Sequence, residues 1–384
     1  MRQFREPPGY LDFARVGPTS EAVTRAVVEA AELLTRDPCA ALDGLQAQAA
    51  KTQAAAADLL RSAVHEVAFV SSTSHALFAA AAAMGGRGGV VLVPRGEFPS
   101  NIYPWLRFEE RGGLRVRWID APRITPETVR AHLDQDVRAL TISAVDAFTG
   151  YRAPLGALKE TLGEGRTLIV DAIQGLGAVP LEVEAADVLA CGGQKWLRAG
   201  WGAAILLVRD RVADRLTPGL GGWSGVHEPL TSGVRVPGVR EPLAVRHPKP
   251  PLTGAVAHTP TNPDYPAVAA LGAAIDLALS VGVPNLGRQL TQTLATLLDA
   301  AMSAGAEILM DGRDPETRSG IACLRLPGRD PAHVHAALGA AGLTTTLRGG
   351  WIRLSPHATT PGEAVDRLAH GLRTALTPRK EALR

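Results

Sequence analysis

Between residues 18 and 210, short apolar runs of strand length alternate with segments in which apolar residues recur at helical spacing. Helices are predicted over residues 21–34, which follow the start signal Pro18-Thr19-Ser20, and over the alanine-rich residues 49–64 and 77–84. The strand-like runs are residues 67–70, 90–93, 114–119, 140–142, 168–170 and 188–190. Strands separated by helical segments indicate βαβ units, which build a mostly parallel sheet with helices on both faces.

Residues 217–266 have a different character, because glycine and proline become frequent and regular periodicity disappears. A stretch of this length without regular structure is usually functional or lies at an interface. Helical patterns resume over residues 267–280 and 286–304 and around His333 and Glu363, and strand-like runs follow at 321–326 and 351–354. We therefore predict an α/β protein with a large domain over residues 16–250 and a smaller α+β domain that combines residues 1–15 and 251–384.

The composition is that of a globular protein with a real core, since 46% of the 384 residues are hydrophobic and 20% are charged. The 40 basic and 38 acidic residues are interspersed, which argues against a nucleic-acid or membrane-surface partner. Three distant cysteines exclude a disulfide framework, and the ten histidines show no HExxH pattern, so no metal site is expected. Without an N-terminal apolar segment or a long apolar run, we expect a cytoplasmic protein.

Asp171 and Lys195 are the most informative pair of residues in the chain. Asp171 ends the apolar run 168–170, and Lys195 follows the run 188–190 by a few residues. If both runs are parallel strands, their carboxyl ends meet at one edge of the sheet, where ligands bind. A lysine that forms a Schiff base and an acid that keeps a pyridine nitrogen protonated suit pyridoxal phosphate. The alternative is a surface lysine and a strand-end aspartate that are unrelated in space.

A second candidate site is the hydroxyl-rich segment Ser71-Ser72-Thr73-Ser74-His75, which follows one strand and opens a helix. Free N–H groups at a helix start, with hydroxyls beside them, suit a phosphate group. The alternative is simple N-capping by Ser72 or Ser74. The glycine-rich residues 85–89 follow a helix and precede a strand, which is the wrong order for a dinucleotide site, so we interpret them as a turn.

Several motifs together resemble the signature of class V aminotransferases, a group of fold-type I pyridoxal phosphate enzymes. They are Asp171-Ala172-Ile173-Gln174, then Asp187, then the lysine segment 191–197, then residues 200–206. The resemblance extends from residues 10–12 to residues 351–357, and the family includes cysteine desulfurases, kynureninases and isopenicillin N epimerases. It implies the fold-type I architecture and pyridoxal 5'-phosphate as the cofactor.

The resemblance also implies a role for each residue that would contact the cofactor. Lys195 would carry the cofactor as a Schiff base, Asp171 would pair with the pyridine nitrogen, and Gln174 would bind the phenolic oxygen. Thr73 and Ser74 would hold the phosphate, with Gln194 at a phosphate-contact position where many relatives have histidine. Phe98 occupies the position that stacks on the ring.

Three further residues are implied to contact the substrate or a neighbouring subunit. Arg353 matches the arginine that receives the α-carboxylate of the substrate, although a surface strand arginine is the alternative. Thr259 and Trp223 resemble residues that reach the phosphate of the partner subunit. Both lie in the irregular stretch 217–266, so the resemblance implies a homodimer with shared active sites.

Persulfide chemistry is disfavoured because residues 343–350, where cysteine desulfurases carry their nucleophilic cysteine, contain none. Cys323 lies within an apolar strand, where an inert thiol is the better interpretation. Phe98 stands where desulfurases have histidine, and Ala147 stands where they have asparagine. Asp146 and Thr149-Gly150 are more similar to kynureninases.

The freed Lys195 is the obvious base for removing the α-proton of an amino acid substrate. Transamination, β-elimination and epimerisation all begin this way, and the sequence favours an aminotransferase acting on a small α-amino acid because no lyase-specific residue is visible. The alternative is a lyase that cleaves a carbon–sulfur or carbon–carbon bond. A non-catalytic regulator is a third hypothesis, but too few residues precede Leu11 for the DNA-binding domain that such regulators usually carry.

Overall fold

The structure is a computed structural model that describes residues 3–227, 248–309 and 316–377. Much of the predicted irregular stretch 217–266, residues 228–247, lies outside the described residues.

The larger of two sheets has seven strands in the order β1-β7-β6-β5-β4-β2-β3. The strands are β1 (Val67–Val70), β2 (Val90–Pro94), β3 (Arg115–Ile119), β4 (Val137–Ser143), β5 (Thr167–Asp171), β6 (Val188–Gly192) and β7 (Ala204–Val208). Strand β7 pairs antiparallel with both β1 and β6, and the remaining pairs are parallel. Every strand except β7 therefore delivers its carboxyl end to the same edge of the sheet.

Ten α-helices lie among the described residues, and several begin where the sequence places a cap. They are α1 (Glu21–Arg36), α2 (Pro38–Leu60), α3 (Thr73–Gly85), α4 (Tyr103–Glu110), α5 (Pro126–Arg130), α6 (Leu155–Leu162), α7 (Tyr265–Val281), α8 (Val283–Ser303), α9 (Pro331–Ala340) and α10 (Glu363–Leu376). The Ser20 hydroxyl accepts from the Val23 N–H, which confirms the predicted start of α1. Helix α2 begins earlier than predicted because Asp37 caps it and Pro38 opens it.

The central strands are buried on both faces, as a parallel sheet between helical layers requires. On one face, Val170 and Leu189 join a core with α2 and α7. On the other face, Ile169 and Ala190 join a core with the alanine-rich α3. Helix α7 thus packs with the large sheet although it lies beyond the predicted division at residue 250, and that division stays a prediction.

The smaller sheet consists of β8 (Glu307–Leu309), β9 (Ala322–Arg325), β10 (Thr346–Arg348) and β11 (Trp351–Leu354) in the antiparallel order β10-β11-β9-β8. One face is apolar, because Leu324, Ile352 and Leu354 pack with residues of α8, α9 and α10. Leu11, from the N-terminal segment, belongs to the same core. This arrangement of a large mostly parallel sheet and a smaller helix-covered sheet confirms the predicted fold class.

No single helix in the described part of the chain has the length and apolar character needed to cross a membrane. Helices α7 and α8 meet the same criterion only when they are taken together, and they are bent by 81° at their junction.

We expect Asp187→Ala to lower the free energy of unfolding by about 3 kcal/mol, because it leaves a buried ion network without its carboxylate. Asp187 is fully buried and accepts hydrogen bonds from Lys159 Nζ at 2.8 Å, the Leu168 N–H at 2.8 Å and Arg211 Nε at 2.6 Å. Urea unfolding measures the loss. Asp210, whose ion pair with His65 is exposed, is the control, and its replacement by alanine should cost under about 1 kcal/mol. Equal losses at the two positions would contradict this account.

Candidate functional site

The predicted site residues converge at the edge of the large sheet where the parallel strands end. Asp171 is the last residue of β5 and is almost completely buried, and Lys195 lies three residues beyond β6. Strands β5 and β6 are direct neighbours, with Asp171 opposite Ala190. The structure thus brings the carboxylate and the amine together at the edge where ligands of such sheets bind.

The loop that carries Lys195 is rigid because it connects two antiparallel neighbours, β6 and β7. The Gly193 N–H donates to the Ala203 carbonyl at 3.0 Å, and the Ala199 N–H donates to the Gly193 carbonyl at 2.8 Å. Gly17 closes the loop from outside, since its N–H donates to the Gln194 carbonyl at 2.8 Å. A Cβ at position 17 would lie 2.0 Å from the Lys195 carbonyl oxygen, so only glycine fits there.

Asp171 is a buried carboxylate that forms no ion pair with any residue in the described ranges. Burial raises its pKa to about 6, although the Ile173 N–H donates to Oδ1 at 3.1 Å and the Lys195 amine also lowers it. The carboxylate can therefore pair with a cationic group of a ligand. A protonated pyridine nitrogen is such a partner, so this position fits the predicted cofactor.

Lys195 is mostly enclosed and lies between charges of opposite sign. Burial lowers its pKa, the negative charge of Asp171 opposes that shift, and the positive charge of Arg353 adds to it. Its Nζ lies 5.5 Å from the centre of the Phe98 ring, and Phe98 itself is 40% exposed. An amine with a lowered pKa beside an accessible aromatic face can act as a nucleophile and a base.

The start of α3 has the features of a phosphate site. Ser72 caps the helix by accepting from the His75 N–H, which leaves the first N–H groups, those of Thr73 and Ser74, outside the helical hydrogen bonds. Thr73 Oγ1 accepts from the Gly192 N–H at 2.8 Å and keeps its own proton to donate. A Cβ at Gly192 would lie 2.3 Å from Gln194 Oε1, so the Gln194 amide points at this same corner.

Gln174 lies in the site, but its amide is mainly engaged inside the protein. Its Nε2 donates to the Ala14 carbonyl at 3.0 Å, and its Oε1 accepts from Trp196 Nε1 at 2.9 Å. The second N–H of Nε2 is the only donor that remains for a ligand, and Oε1 can accept one further hydrogen bond. The predicted contact between Gln174 and the cofactor oxygen stays a prediction, and the structure adds that Gln174 also positions Trp196, the residue after Lys195.

Arg353 is not the surface arginine that the alternative describes, because only 6% of it is exposed. Its Nη1 donates to the Ala147 carbonyl at 2.9 Å, and its Nη2 donates to Asp12 Oδ1 at 3.1 Å. Its Nε is buried without a hydrogen-bond partner among the described residues. A substrate carboxylate would satisfy that N–H, so the geometry supports the predicted role.

Asp146 and Cys323 have structural partners near this arginine. Asp146 Oδ1 accepts from the Phe148 N–H at 3.0 Å and from the Thr149 hydroxyl at 2.8 Å, so it shapes the turn that presents Ala147 to Arg353. Cys323 is fully buried and donates to the Phe148 carbonyl at 3.0 Å. Burial raises the pKa of its thiol to about 12, which agrees with the inert cysteine that the sequence suggests.

Among the described residues, no hydrogen bond joins Trp223 or Thr259 to Lys195, Asp171 or Arg353. Trp223 is 42% exposed, whereas Thr259 is buried and donates to the Val256 carbonyl at 2.8 Å. Their predicted contact with a partner subunit stays a prediction.

Two features of the site are not predicted by the sequence. Glu97, next to Phe98, accepts from the Ser143 N–H at 2.6 Å and from Asn101 Nδ2 at 3.0 Å, which fastens the Phe98 loop to the end of β4. Burial raises the pKa of Glu97 to about 7, and the charge of Asp171 adds to the shift. The signal for this role was the carboxylate directly before the ring-stacking position.

The second feature is Arg198, which ties the lysine loop to both ends of the fold. Its backbone is left-handed, with φ of 61°, a conformation that costs a non-glycine residue of the order of 1 kcal/mol. Its guanidinium pairs with Glu6 at 2.7 Å, donates to the Pro18 carbonyl at 2.6 Å and to the Thr359 hydroxyl at 3.1 Å, and lies 3.4 Å from the centre of the Phe4 ring. These contacts hold a strained residue three positions after Lys195.

The described residues contain no group of three or more histidine, cysteine, aspartate or glutamate side chains that could hold a metal ion.

Comparisons with known proteins show the family of this chain. The family model for aminotransferase class-V matches residues 40–376. A probable cysteine desulfurase of Aeropyrum pernix is 26% identical over 293 residues, which are 72% of this chain and 68% of that protein. A kynureninase of Deinococcus radiodurans is 29% identical over 254 residues, which are 63% of this chain and 57% of that protein.

A solved structure of the cystine C–S lyase C-DES with its product cysteine persulfide has a TM-score of 0.82 and 19% identity, and the match covers 95% of this chain and 97% of that one. At this identity the likeness shows the fold alone. The resemblance predicted from the motifs is thereby confirmed across most of the chain. The chain belongs to the aminotransferase class-V family, whose cofactor is pyridoxal phosphate.

Proposed function

We propose that this protein is a pyridoxal phosphate-dependent lyase that cleaves a bond at the β-carbon of an α-amino acid. The observation that carries the cofactor chemistry of this proposal is the position of the Lys195 amine, which lies beside the Phe98 ring and near the charges of buried Asp171 and buried Arg353. This arrangement offers a cofactor site, a site for the substrate carboxylate and a base at one edge of the large sheet.

The cofactor would be held by groups at or just beyond the carboxyl ends of four strands, β1, β2, β5 and β6. Asp171 would accept the pyridine N–H, Phe98 would cover one face of the ring, and Thr73, Ser74 and Gln194 would surround the phosphate. Bound pyridoxal phosphate supplies an electron sink that stabilises negative charge at the α-carbon of an attached amino acid. Because Asp171 is almost completely buried, its negative charge would attract the pyridine N–H more strongly than an exposed carboxylate would.

The substrate would be oriented through its α-carboxylate. Arg353 offers the unpaired Nε–H, and its two other contacts, Ala147 and Asp12, fix the guanidinium plane. Lys195 would then take the α-proton, and its burial favours this role because it lowers the pKa of the amine. The rigid loop between β6 and β7 keeps this base in place.

The relatives favour a lyase over the aminotransferase that the sequence analysis favoured. The similar proteins named above are a probable cysteine desulfurase, a kynureninase and a cystine C–S lyase. A persulfide carried on a cysteine of this chain does not fit the site, because residues 343–350 contain no cysteine and Cys323 is buried with a pKa of about 12. We therefore propose that the leaving group departs from the substrate without a cysteine nucleophile.

We also propose that the active protein is a homodimer. Trp223 is 42% exposed and lies in a short turn next to the segment that carries Thr259. Ser224 Oγ and His258 Nδ1, which neighbour them, are buried without hydrogen-bond partners among the described residues. A second subunit that reaches this surface would give these groups partners, which supports the shared site that the resemblance implies.

The reaction class is tested by incubating the purified holoenzyme with a panel of L-amino acids, with and without a keto acid acceptor. A lyase should release pyruvate or alanine without any acceptor, because cleavage at the β-carbon needs no second substrate. Lys195→Ala should reduce the rate by about 10³-fold or more, since it removes both the cofactor link and the base. Product formation that requires a keto acid would instead establish an aminotransferase.

Asp171→Asn should stabilise the protein without cofactor by about 2 kcal/mol at pH 8 while impairing the holoenzyme. The pKa of Asp171 rises from 3.8 to about 6 on folding, so its favourable contribution is present below pH 3.8 and is lost as the pH rises to about 6. Asparagine avoids the buried charge, so the gain should be present at pH 8 and nearly absent at pH 4 by urea unfolding. A loss of stability at pH 8 would show that the charge is already compensated.

A further inference from the structure

One face of the smaller sheet covers the active site. In the antiparallel register, Thr346 on β10 lies opposite Arg353 on β11, and Arg353 lies opposite Cys323 on β9. Paired residues share a face, and residues two apart along a strand do as well, so Arg348 and Arg325 lie on this same face. Contacts from Arg353 to Ala147 and from Cys323 to Phe148 show that the face looks onto the large domain.

This face carries three arginines that differ in their partners. Arg325 pairs with Glu307 at 2.7 Å and lies over the Trp351 ring at 4.6 Å. Arg353 pairs with Asp12 at 3.1 Å. Arg348 forms neither an ion pair nor a hydrogen bond with any residue in the described ranges, and it is exposed.

Arg348 nevertheless points at the reaction centre. Its guanidinium carbon lies 5.9 Å from the centre of the Phe98 ring, the same ring that has Lys195 Nζ at 5.5 Å. Its positive charge and that of Arg353 both lower the pKa of the Cys323 thiol, although burial outweighs them. Two guanidiniums therefore flank the place where a substrate would lie, and only Arg353 already has an acidic partner.

We propose that Arg348 binds an anionic group at the end of the substrate side chain, so that the preferred substrates are α-amino acids with a second acidic group. The assignment rests on the proposed function, because it assumes that Arg353 holds the α-carboxylate. A guanidinium can form two parallel hydrogen bonds to a carboxylate or a sulfonate. Because Arg348 is exposed to water, we expect a preference of about tenfold rather than an absolute requirement.

The test measures amino acid affinity through the change in the absorption spectrum of the bound cofactor, which needs no turnover. L-aspartate is compared with L-asparagine, and L-glutamate with L-glutamine, because each pair differs mainly in charge. L-cysteate, with a sulfonate in place of the carboxylate of aspartate, distinguishes the two acidic groups. In the unmodified protein, at least one acidic member should bind about tenfold more tightly than its neutral partner.

Arg348→Met should remove this preference while leaving the affinity for L-asparagine and L-glutamine unchanged, which also shows that the variant is folded. Arg325→Met is the matched control, since it removes a paired arginine from the same face and should keep the preference. Equal affinity for acidic and neutral members in the unmodified protein would overturn the inference and leave the proposed function intact. If no amino acid changes the spectrum, the proposed function itself fails.

Discussion

The carboxylate of Asp171 is the constraint on which the rest of the site depends, since it is buried at the end of β5 without an ion-pair partner in the described chain. Burial of a charge is unfavourable unless something compensates it, and here the compensation comes partly from Lys195 and, in this family, from the pyridine nitrogen. The residues around Asp171 are therefore held in place by hydrogen bonds to other groups and not by an ion pair with Asp171. Asp187, at the opposite end of the same pair of strands, shows the contrast, because its charge is fully matched by Lys159 and Arg211.

The antiparallel strand β7 fixes the position of Lys195. Residues 193–203 are too few for the crossover that joins parallel strands, so the chain turns back and β7 runs antiparallel between β6 and β1. The reversal places Lys195 in a short loop with internal hydrogen bonds. It also brings the end of β1 close enough for the Thr73 hydroxyl to bind the Gly192 N–H. The proposed phosphate corner and the lysine are therefore built by the same reversal.

The sequence allowed the parallel sheet, the strand-end Asp171, the Lys195 loop and the buried Arg353 motif to be predicted, because each rests on local patterns of apolar runs or family motifs. It predicted neither the strand β7 nor its antiparallel direction, since residues 200–206 were noted only as part of a family motif and strand direction depends on connection geometry. Nor did it predict that Gln174 binds Trp196 or that Arg348 lies over Phe98. Those contacts join residues that are distant in the sequence, and only tertiary packing decides them.

The stacked rings of Phe13, Trp196 and His357 determine the charge of the protein next to Lys195. His357 stacks against Phe13 with ring centres 4.9 Å apart and lies 6.5 Å from Trp196, and burial, with the charge of Arg198, lowers its pKa to about 3. The imidazole is therefore uncharged over the pH range in which proteins normally work. The cluster of Phe13, Trp196 and His357 gains no charge as the pH falls through this range. Glu97 and Asp171, by contrast, have pKa values of about 7 and about 6, so these carboxyl groups of the site take up protons under mildly acidic conditions.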